Sequence, residues 1–195
     1  MIALIDYGAG NTASVANVLK DLNCDYKITY CESDICKSEK IIFPGVGEAA
    51  YAVRRLHMTN LFNLLHIIKK PLLGICLGMQ LFCQKSKEGD VVSLGILPGS
   101  TEKFDDTKVK VPHMGWNQLK YTKQSKLFDG IPEGEYFYFA NSYYVPINEY
   151  ATSVCNYDID FCSSMEKDNF YGVQFHPEKS GHAGTLLMKN FIEKC

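Results

Sequence analysis

Residues 71–82, PLLGICLGMQLF, decide the fold. The apolar run that opens this stretch is typical of a buried strand, and the residues after Gly78 are typical of a helix. Gly74 and Gly78 bracket Cys76, and a side chain at either glycine would collide where the strand folds back against the helix. The pattern predicts a nucleophile elbow, a sharp strand-to-helix turn, with a cysteine sulfur in the place of the serine oxygen.

The chain before this elbow alternates short apolar strands with helical patterns. It begins with a strand over residues 2–5, a glycine turn, and a helix with Val15, Val18, Leu19 and Leu22 on one face. The alternation continues through strands over residues 26–30 and 40–43 and helices at about 48–56 and 61–68. It predicts a three-layer αβα fold of the α/β class, in which a mostly parallel, flavodoxin-like sheet places its ligands at the carboxyl ends of the strands.

The second half of the chain changes to short alternating segments separated by turn residues. This pattern predicts a strand-rich, antiparallel extension of the sheet, with strands over residues 108–111, 136–139, 152–156 and 161–165. A final helix is expected from residue 181 or 182 to residue 193. No linker or repeat interrupts the composition, so residues 1–195 are expected to form a single domain.

Composition excludes several classes of function. The net charge of −2 and the lack of a basic block give no footprint for nucleic acid, and no apolar run is long enough to cross a membrane. The first residues lack a positively charged leader, so a soluble, cytoplasmic protein is expected. None of the eight cysteines stands in a C-x-x-C pair, which argues against a metal site, and seven of them are expected to be reduced structural thiols.

Cys76, His176 and Glu178 together predict a thiol triad. An apolar alternation over residues 171–175 predicts a strand that ends just before His176, and Pro177 favours extended backbone at that histidine. If the backbone stays extended, Glu178 points to the same side as His176 and orients the imidazole. Each residue alone is more often structural, so the prediction rests on the three together. The helix N-terminus at the elbow and the imidazole are expected to favour the thiolate form of the cysteine.

Attack on a carbonyl by this sulfur also requires hydrogen-bond donors for the developing oxyanion. One donor is expected to be the backbone N–H of Leu77, directly after the nucleophile. Another is expected from the loop of residues 44–47, PGVG, which follows the third strand beside the elbow. Its glycines allow a backbone amide to turn toward the substrate or away from it, so the loop is a candidate on/off element.

Three segments resemble the class I glutamine amidotransferases: residues 44–47 (PGVG), 74–80 (GICLGMQ) and 174–180 (QFHPEKS). Residues 6–11 (DYGAGN) and 111–117 (VPHMGWN) further resemble the glutaminase subunits of imidazole glycerol phosphate synthases. The resemblance extends over essentially the whole chain. It implies that Cys76 attacks the side-chain amide of glutamine, that His176 protonates the departing ammonia and then activates water, and that Glu178 holds the imidazole.

The same resemblance extends to the rest of the site. It implies that Val46 donates the second oxyanion N–H, and that Gly45, Gly47 and Gln80 bind glutamine. The chemistry needs no metal or organic cofactor. The implied partner is a (β/α)8 cyclase subunit, which forms a heterodimer with the glutaminase, receives its ammonia and makes imidazole glycerol phosphate in histidine biosynthesis. Residues on the partner side are expected to be Asn11, His113, Trp116 and Asn117.

Asn141 departs from this pattern, because the related subunits usually carry a histidine before Ser142 and Tyr143. This departure bears on the identity of the partner and pathway rather than on the glutaminase chemistry.

Three other interpretations stay open. The chain could supply ammonia to a different barrel synthase, for example in an amino-sugar or surface-glycan pathway. It could be an inactive scaffold that binds a barrel, although the intact triad argues against this. It could also be a thiol peptidase, although Gln80 and the loop of residues 44–47 fit a small-amide pocket better.

Overall fold

The computed structural model describes all residues, 1–195. Its elements follow one another in this order: β1 (Ile2–Ile5), α1 (Thr12–Asp21), β2 (Tyr26–Thr29), α2 (Glu32–Lys37), β3 (Lys40–Gly45), α3 (Ala49–Met58), α4 (Leu61–Ile67), β4 (Leu72–Cys76), α5 (Leu77–Gln80), β5 (Cys83–Ser86), β6 (Val91–Val92), β7 (Leu97–Lys103), β8 (His113–Gln118), β9 (Lys120–Tyr121), β10 (Tyr136–Asn141), β11 (Tyr143–Tyr144), β12 (Ala151–Tyr157), β13 (Ile159–Lys167), β14 (Phe170–Val173) and α6 (Gly181–Lys194).

An eight-stranded sheet forms the centre, in the order β2-β1-β3-β4-β14-β13-β12-β9. The five strands from β2 to β14 are parallel, and β13, β12 and β9 continue the sheet in antiparallel pairs. The predicted α/β fold, a mostly parallel sheet with an antiparallel extension, is therefore confirmed. Strand β4 lies between β3 and β14, so loops from both neighbours meet at its carboxyl end, where Cys76 stands.

Alternation of side chains along the strands produces the three layers. In β1, Ala3 and Ile5 pack into one apolar cluster, whereas Ile2 and Leu4 pack into the other. Helices α3 and α4 cover the first face, and α1 and α6 cover the second. Because both faces of the parallel strands are buried, these strands are almost continuously apolar, as their sequences indicated.

Two smaller sheets lie outside the central one. Strands β8 and β10 form an antiparallel pair, and β11, β7, β5 and β6 form a four-stranded sheet. The sequence patterns did not separate these sheets from the main one. The difference matters for the site, because β10 ends beside the elbow rather than within the central sheet.

The prediction of a strand at residues 108–111 is wrong. The backbone N–H groups of Lys108 and Val109 both donate to the carbonyl oxygen of Asp105, and the side chain of Asp105 accepts from the N–H of Thr107. An aspartate that binds backbone amides two residues on stabilises a turn, and this local bonding outweighs the alternation of apolar residues that follows it.

Candidate active site

Cys76 occupies a strained turn at the end of β4. Its backbone has φ 54° and ψ −111°, a conformation that residues other than glycine rarely adopt. The turn brings α5 against β3 so closely that a Cβ added at Gly78 would lie 2.0 Å from the carbonyl oxygen of Phe43. The predicted elbow thus has its physical basis in a close backbone approach that only glycine permits.

The helix after the elbow is short. Helix α5 contains only four residues, Leu77–Gln80, and the chain then turns into β5. The backbone N–H of Leu97 donates to the carbonyl oxygen of Phe82, so the strand pairing of the following segment replaces further helical hydrogen bonds. A single helical turn has a small dipole, and the expected contribution of a helix N-terminus to the thiolate is correspondingly weak.

His176 reaches the elbow because β14 runs parallel to β4. Val173 pairs with Ile75, so the residues that follow β14 lie beside Cys76. The backbone N–H of His176 donates to the carbonyl oxygen of Tyr138 at 2.8 Å, which fixes the chain there. The imidazole then lines the same cavity as Cys76.

Glu178 contacts His176 by a route that differs from the expected one. The backbone does not stay extended; residues Pro177–Lys179 form a 3-10 turn. Within this turn the Glu178 carboxylate still reaches Nδ1 of His176 at 2.8 Å, and the two side chains are only 1% and 4% exposed, respectively. The second carboxylate oxygen of Glu178 is buried without a partner. The contact holds the ring with its other nitrogen free for the cavity.

The charge state of His176 follows from opposing effects. Burial disfavours the charged imidazolium, but the Cys76 thiolate and the Glu178 carboxylate outweigh it and raise the pKa of His176 to about 10. The two groups therefore favour the protonated form of the imidazole, which lies between a sulfur and a carboxylate. Such a group can donate a proton to a leaving group.

Cys76 and His176 line a cavity of about 250 Å³. Of the residues singled out in the sequence, it is lined by Val46, Gly47, Cys76, Leu77, Gln80 and His176. Gly45 is buried behind them, paired with Cys76 across the β3–β4 ladder. A larger depression of about 890 Å³ lies on the surface around Tyr121 and Lys126, but none of the predicted catalytic or glutamine-binding residues lines it.

The loop of residues 44–47 lies beside the elbow. In its conformation, the amide that was expected to bind the oxyanion is hydrogen-bonded to another loop. The backbone N–H of Val46 donates to the carbonyl oxygen of Ala9 at 3.3 Å. Gly47 has φ +89°, a conformation that favours glycine. Leu77, the other expected donor, is the first residue of α5, where a backbone N–H has no acceptor within its own helix.

Two residues of the site were missed from the sequence: Glu88, which lines the cavity, and Gln174, which is buried beside the sulfur. Glu88 follows β5 and lines the cavity, and one of its oxygens accepts from the backbone N–H of Ala49 at 2.8 Å. Burial, together with the nearby Glu48, raises the pKa of Glu88. Gln174 is fully buried two residues before His176, with Nε2 at 3.6 Å from Sγ of Cys76. The alternation of side chains along β14 could have identified Gln174, whereas nothing in the local sequence marks Glu88.

The four residues expected at a partner interface differ in their exposure. Trp116 is 54% exposed on β8, and with Met114 and Tyr136 it forms an apolar surface of the β8–β10 sheet. Asn117 is partly buried and donates to the carbonyl oxygen of Asn156. Asn11 caps α1 by accepting from the backbone N–H of Ser14.

His113, the fourth of these residues, lies in the core. Its ring stacks on Tyr157 and Phe139, with centroid distances of 4.0 and 5.0 Å. Its side chain therefore does not reach the surface that a partner would contact. The sequence pattern of β8 did not distinguish its inward residues from its outward ones, because the strand belongs to a small separate sheet.

Asn141, where the chain departs from related sequences, is buried and lines the cavity. Its Nδ2 donates to the carbonyl oxygen of Tyr143 at 2.9 Å, and its Oδ1 has no partner. The residue that differs from the related sequences therefore lies in the wall of the cavity rather than on an outer surface.

No three histidine, cysteine, aspartate or glutamate side chains converge in a way that could hold a metal ion. None of the helices combines the length and apolarity needed to cross a bilayer.

Comparison with known proteins identifies the family. The profile of glutamine amidotransferase class-I matches residues 3–195. The imidazole glycerol phosphate synthase subunit HisH of Haemophilus influenzae is 43% identical over 193 residues, 99% of this chain and 97% of that protein. The subunits of the same name from Buchnera aphidicola and Archaeoglobus fulgidus are 44% and 40% identical, each over 98% of both chains.

Solved structures agree on the fold. The crystal structure of a glutamine amidotransferase matches with a TM-score of 0.76 at 15% identity, over 99% of this chain and 98% of that one. The PurLQS structure from Thermotoga maritima matches with a TM-score of 0.72 at 17% identity, over 98% and 96%. Because the profile spans nearly the whole chain and relatives of 40% identity or more extend over the same length, this chain belongs to the class-I glutamine amidotransferases, in the group of imidazole glycerol phosphate synthase subunits named HisH.

Proposed function

We propose that this chain hydrolyses glutamine to glutamate and ammonia and passes the ammonia to a (β/α)8 cyclase subunit of the HisF type. The observation that carries the proposal is the convergence of Cys76 and the His176–Glu178 pair on one cavity, with Gln80 in its wall. A sulfur beside a protonated imidazole is suited to acyl transfer, because the thiolate attacks and the imidazolium protonates the leaving group.

The reaction runs in two halves. The Cys76 thiolate attacks the side-chain amide carbon of glutamine, and the tetrahedral intermediate collapses as His176 gives its proton to the departing nitrogen, which leaves as ammonia. A thioester on Cys76 remains. His176, now neutral, removes a proton from water, the resulting hydroxide attacks the thioester, and the C–S bond breaks to release glutamate and restore the thiolate. Glu178 keeps the imidazole oriented and favours its charged form.

The cavity offers groups for the rest of the substrate. Glutamine carries an α-ammonium group, and Glu88 supplies a half-buried carboxylate with one oxygen not engaged by Ala49. Gln80 supplies an amide in the same wall. Gly47 lines the cavity and has open space around it, which leaves room for the substrate. Gly45 serves the site indirectly, because a Cβ there would lie 2.6 Å from the backbone nitrogen of Gly78 at the elbow. Burial of Glu88 is costly without a positive partner, so the bound ammonium group would stabilise it.

The proposed oxyanion hole combines the backbone N–H groups of Leu77 and Val46. Since the N–H of Val46 donates to Ala9, the peptide must rotate before it can bind an oxyanion. The loop is thus in a resting conformation, and we assign to the partner subunit the role of shifting it. This couples glutamine hydrolysis to the presence of an acceptor for ammonia.

The synthase is the proposed destination because of the relatives. The similar proteins are named as subunits of imidazole glycerol phosphate synthase, and a subunit implies a further one. Ammonia in water at neutral pH is mostly ammonium, which is not a nucleophile, so it must be transferred within a complex.

The exposed apolar surface around Trp116 and Met114 is the proposed docking site. The free thiols agree with a reducing compartment, and we place the complex in the cytoplasm.

The decisive experiment is Cys76→Ala in the complex with the cyclase subunit. Glutamine-dependent synthesis should fall by at least about 10³-fold, since loss of a nucleophile removes most of the rate enhancement. Synthesis from added ammonium salt should be unchanged. Cys36→Ala, which alters an exposed thiol, is the control. Glutamine-dependent synthesis that survives in Cys76→Ala would refute the triad, and co-purification of a different barrel synthase would redirect the pathway.

A further inference from the structure

Gln174 joins the two halves of the site. It follows β14, its side chain is fully buried, and its backbone N–H donates to the carbonyl oxygen of Ser163 at 2.9 Å. Its Nε2 lies 3.6 Å from Sγ of Cys76, and its Oε1 lies 2.9 Å from Nε2 of Gln80. One amide thus contacts both the sulfur and the residue proposed to bind glutamine.

The orientation of both amides is fixed by one backbone carbonyl. The side chain of Gln80 is 2.7 Å from the carbonyl oxygen of Tyr143, which can only accept a hydrogen bond, so the atom facing it must be the nitrogen Nε2. The same nitrogen faces Gln174, which must therefore present its oxygen. The other end of the Gln174 amide, a hydrogen-bond donor, then faces Sγ.

These hydrogen bonds determine which atom of the Gln80 amide faces the cavity and which atom of the Gln174 amide faces the sulfur. Because Nε2 of Gln80 is held by two acceptors, Oε1 of Gln80 is the end left for the cavity, where it can accept from a substrate donor. At the sulfur, the neutral thiol can donate to the carbonyl oxygen of Ala140 at 3.9 Å, but a thiolate gains nothing from that oxygen. The N–H of Gln174 favours the thiolate instead.

We propose that Gln174 is a positioning residue, which stabilises the Cys76 thiolate through its Nε2 and, together with the carbonyl of Tyr143, holds the Gln80 amide through its Oε1. The inference rests on the proposed glutaminase function. It predicts that changes at Gln174 affect the reactivity of the sulfur even when no glutamine is present. A merely structural role for Gln174 would not alter that reactivity in a folded protein.

Two substitutions separate the two contacts. Gln174→Met has a similar length but neither donates nor accepts. Gln174→Glu keeps an acceptor for Gln80 but places a carboxylate beside the sulfur. The other titratable groups that interact with Cys76, His176 and Tyr7, are unchanged in both variants. Gln124→Met, at an exposed position outside the cavity, is the matched control.

The first readout is alkylation of Cys76 by iodoacetamide in the full chain, followed by peptide mass spectrometry to resolve it from the other thiols. At pH 7, Gln174→Met should slow the alkylation about 5-fold, because a donor to the thiolate is lost. Gln174→Glu should slow it about 50-fold or more, because a like charge disfavours the thiolate. In both variants the pH profile of the rate should shift upward, and in Gln124→Met it should match the unaltered protein.

The second readout is KM for glutamine in the complex with the cyclase subunit. Gln174→Met should raise KM about 10-fold, because the Gln80 amide loses the hydrogen bond to residue 174. Gln174→Glu keeps an acceptor there and should leave KM within about 2-fold. In a Gln80→Met background, Gln174→Met should have no further effect on KM.

The proposal is overturned if folded Gln174→Met or Gln174→Glu protein alkylates at the unaltered rate, or if the two substitutions change KM equally. Thermal unfolding monitored by circular dichroism establishes folding, and if Gln174→Met does not fold, Gln174→Glu decides the thiolate contact alone. An active Cys76→Ala would instead refute the proposed function, so the two failures are distinguishable.

Discussion

The backbone N–H of Val46 donates to the carbonyl oxygen of Ala9 at 3.3 Å, across the gap between the β3–α3 and β1–α1 loops. The bond uses the amide that we propose as the second donor of the oxyanion hole next to Cys76. Gly10 packs directly behind the same loop, since a Cβ there would lie 3.0 Å from the carbonyl oxygen of Pro44. The two loops thus form one unit, and a partner that contacts the β1–α1 loop can change the state of Val46.

We expect the isolated chain to hydrolyse glutamine slowly. One missing oxyanion donor typically costs about 10²- to 10³-fold in kcat, so the cyclase subunit with its nucleotide substrate should raise kcat by about 10²-fold. Steady-state glutamate release, measured with and without the partner, checks this. If the chain alone already turns over at the rate of the complex, the loop does not control the site.

Gly78→Ala should destabilise the protein by about 3 kcal/mol or more, because its Cβ would overlap the carbonyl oxygen of Phe43 at 2.0 Å and neither backbone can move freely. Gly95→Ala is the control. A Cβ at Gly95 meets nothing within 4 Å, so only its positive φ contributes, at about 1 kcal/mol. Denaturant unfolding measures both values. Equal losses in the two variants would show that the close approach at the elbow is not rigid.

The ion pair of His176 predicts a pH-dependent stability. The Cys76 sulfur and, to a smaller extent, the Glu178 carboxylate raise the pKa of His176 from 6.5 in the unfolded chain to about 10 in the folded protein. The stabilisation that Glu178 contributes is therefore fully present below pH 6.5 and is lost as the pH rises toward 10. The free energy of unfolding relative to Glu178→Gln should therefore shrink over this interval. Denaturant unfolding at several pH values tests it, with the exposed Glu193→Gln as a flat control. A difference that grows with pH would contradict the assigned charges.

His113 predicts a loss of stability at acid pH, in contrast to the loss at alkaline pH that His176 predicts. Burial lowers its pKa to about 4, so between pH 6.5 and about 4 unfolding takes up a proton and the free energy of unfolding falls as the pH falls. His113→Phe keeps the stacking on Tyr157 and should remove about 1 kcal/mol of this acid loss. Unfolding at pH 5 and pH 7.5 measures it. The exposed His182→Phe should leave the acid loss intact; if His113→Phe does so too, the histidine is not held neutral.

Trp116→Ala should weaken the complex with the cyclase subunit about 30-fold, the loss of about 2 kcal/mol that is common for a buried aromatic anchor. Calorimetric titration gives the affinity. Met58→Ala is the control, since Met58 is 68% exposed at the end of α3 and does not belong to the β8–β10 sheet. Equal affinities for Trp116→Ala and the unaltered chain would exclude this surface from the interface.

The sequence predicted the parts of the fold that depend on local patterns. The parallel strands, the elbow and the final helix followed from apolar periodicity and from the two glycines around Cys76. The strand expected at residues 108–111 failed because Asp105 binds the following backbone amides, which periodicity does not register. The end of α5 could not be predicted from the sequence, because it depends on the pairing of a later segment with Phe82.

The same distinction between local patterns and distant packing applies to the residues of the candidate site. Cys76, His176 and Glu178 could be named from the sequence because their chemistry is unusual and their motifs are local. Glu88, Gln174 and the burial of His113 could not, since each depends on which distant segment packs beside it.

By itself, the sequence determined which groups can react and at which end of the sheet they meet, because residue type and strand direction are local properties of the chain. Only the tertiary structure decided that Glu178 reaches His176 through a 3-10 turn, that the amide of Val46 is bound to Ala9, and that Gln174 connects Cys76 with Gln80. The physical reason is that a hydrogen bond needs both partners within about 3 Å in a defined direction, and that placement comes from packing between segments far apart in the chain.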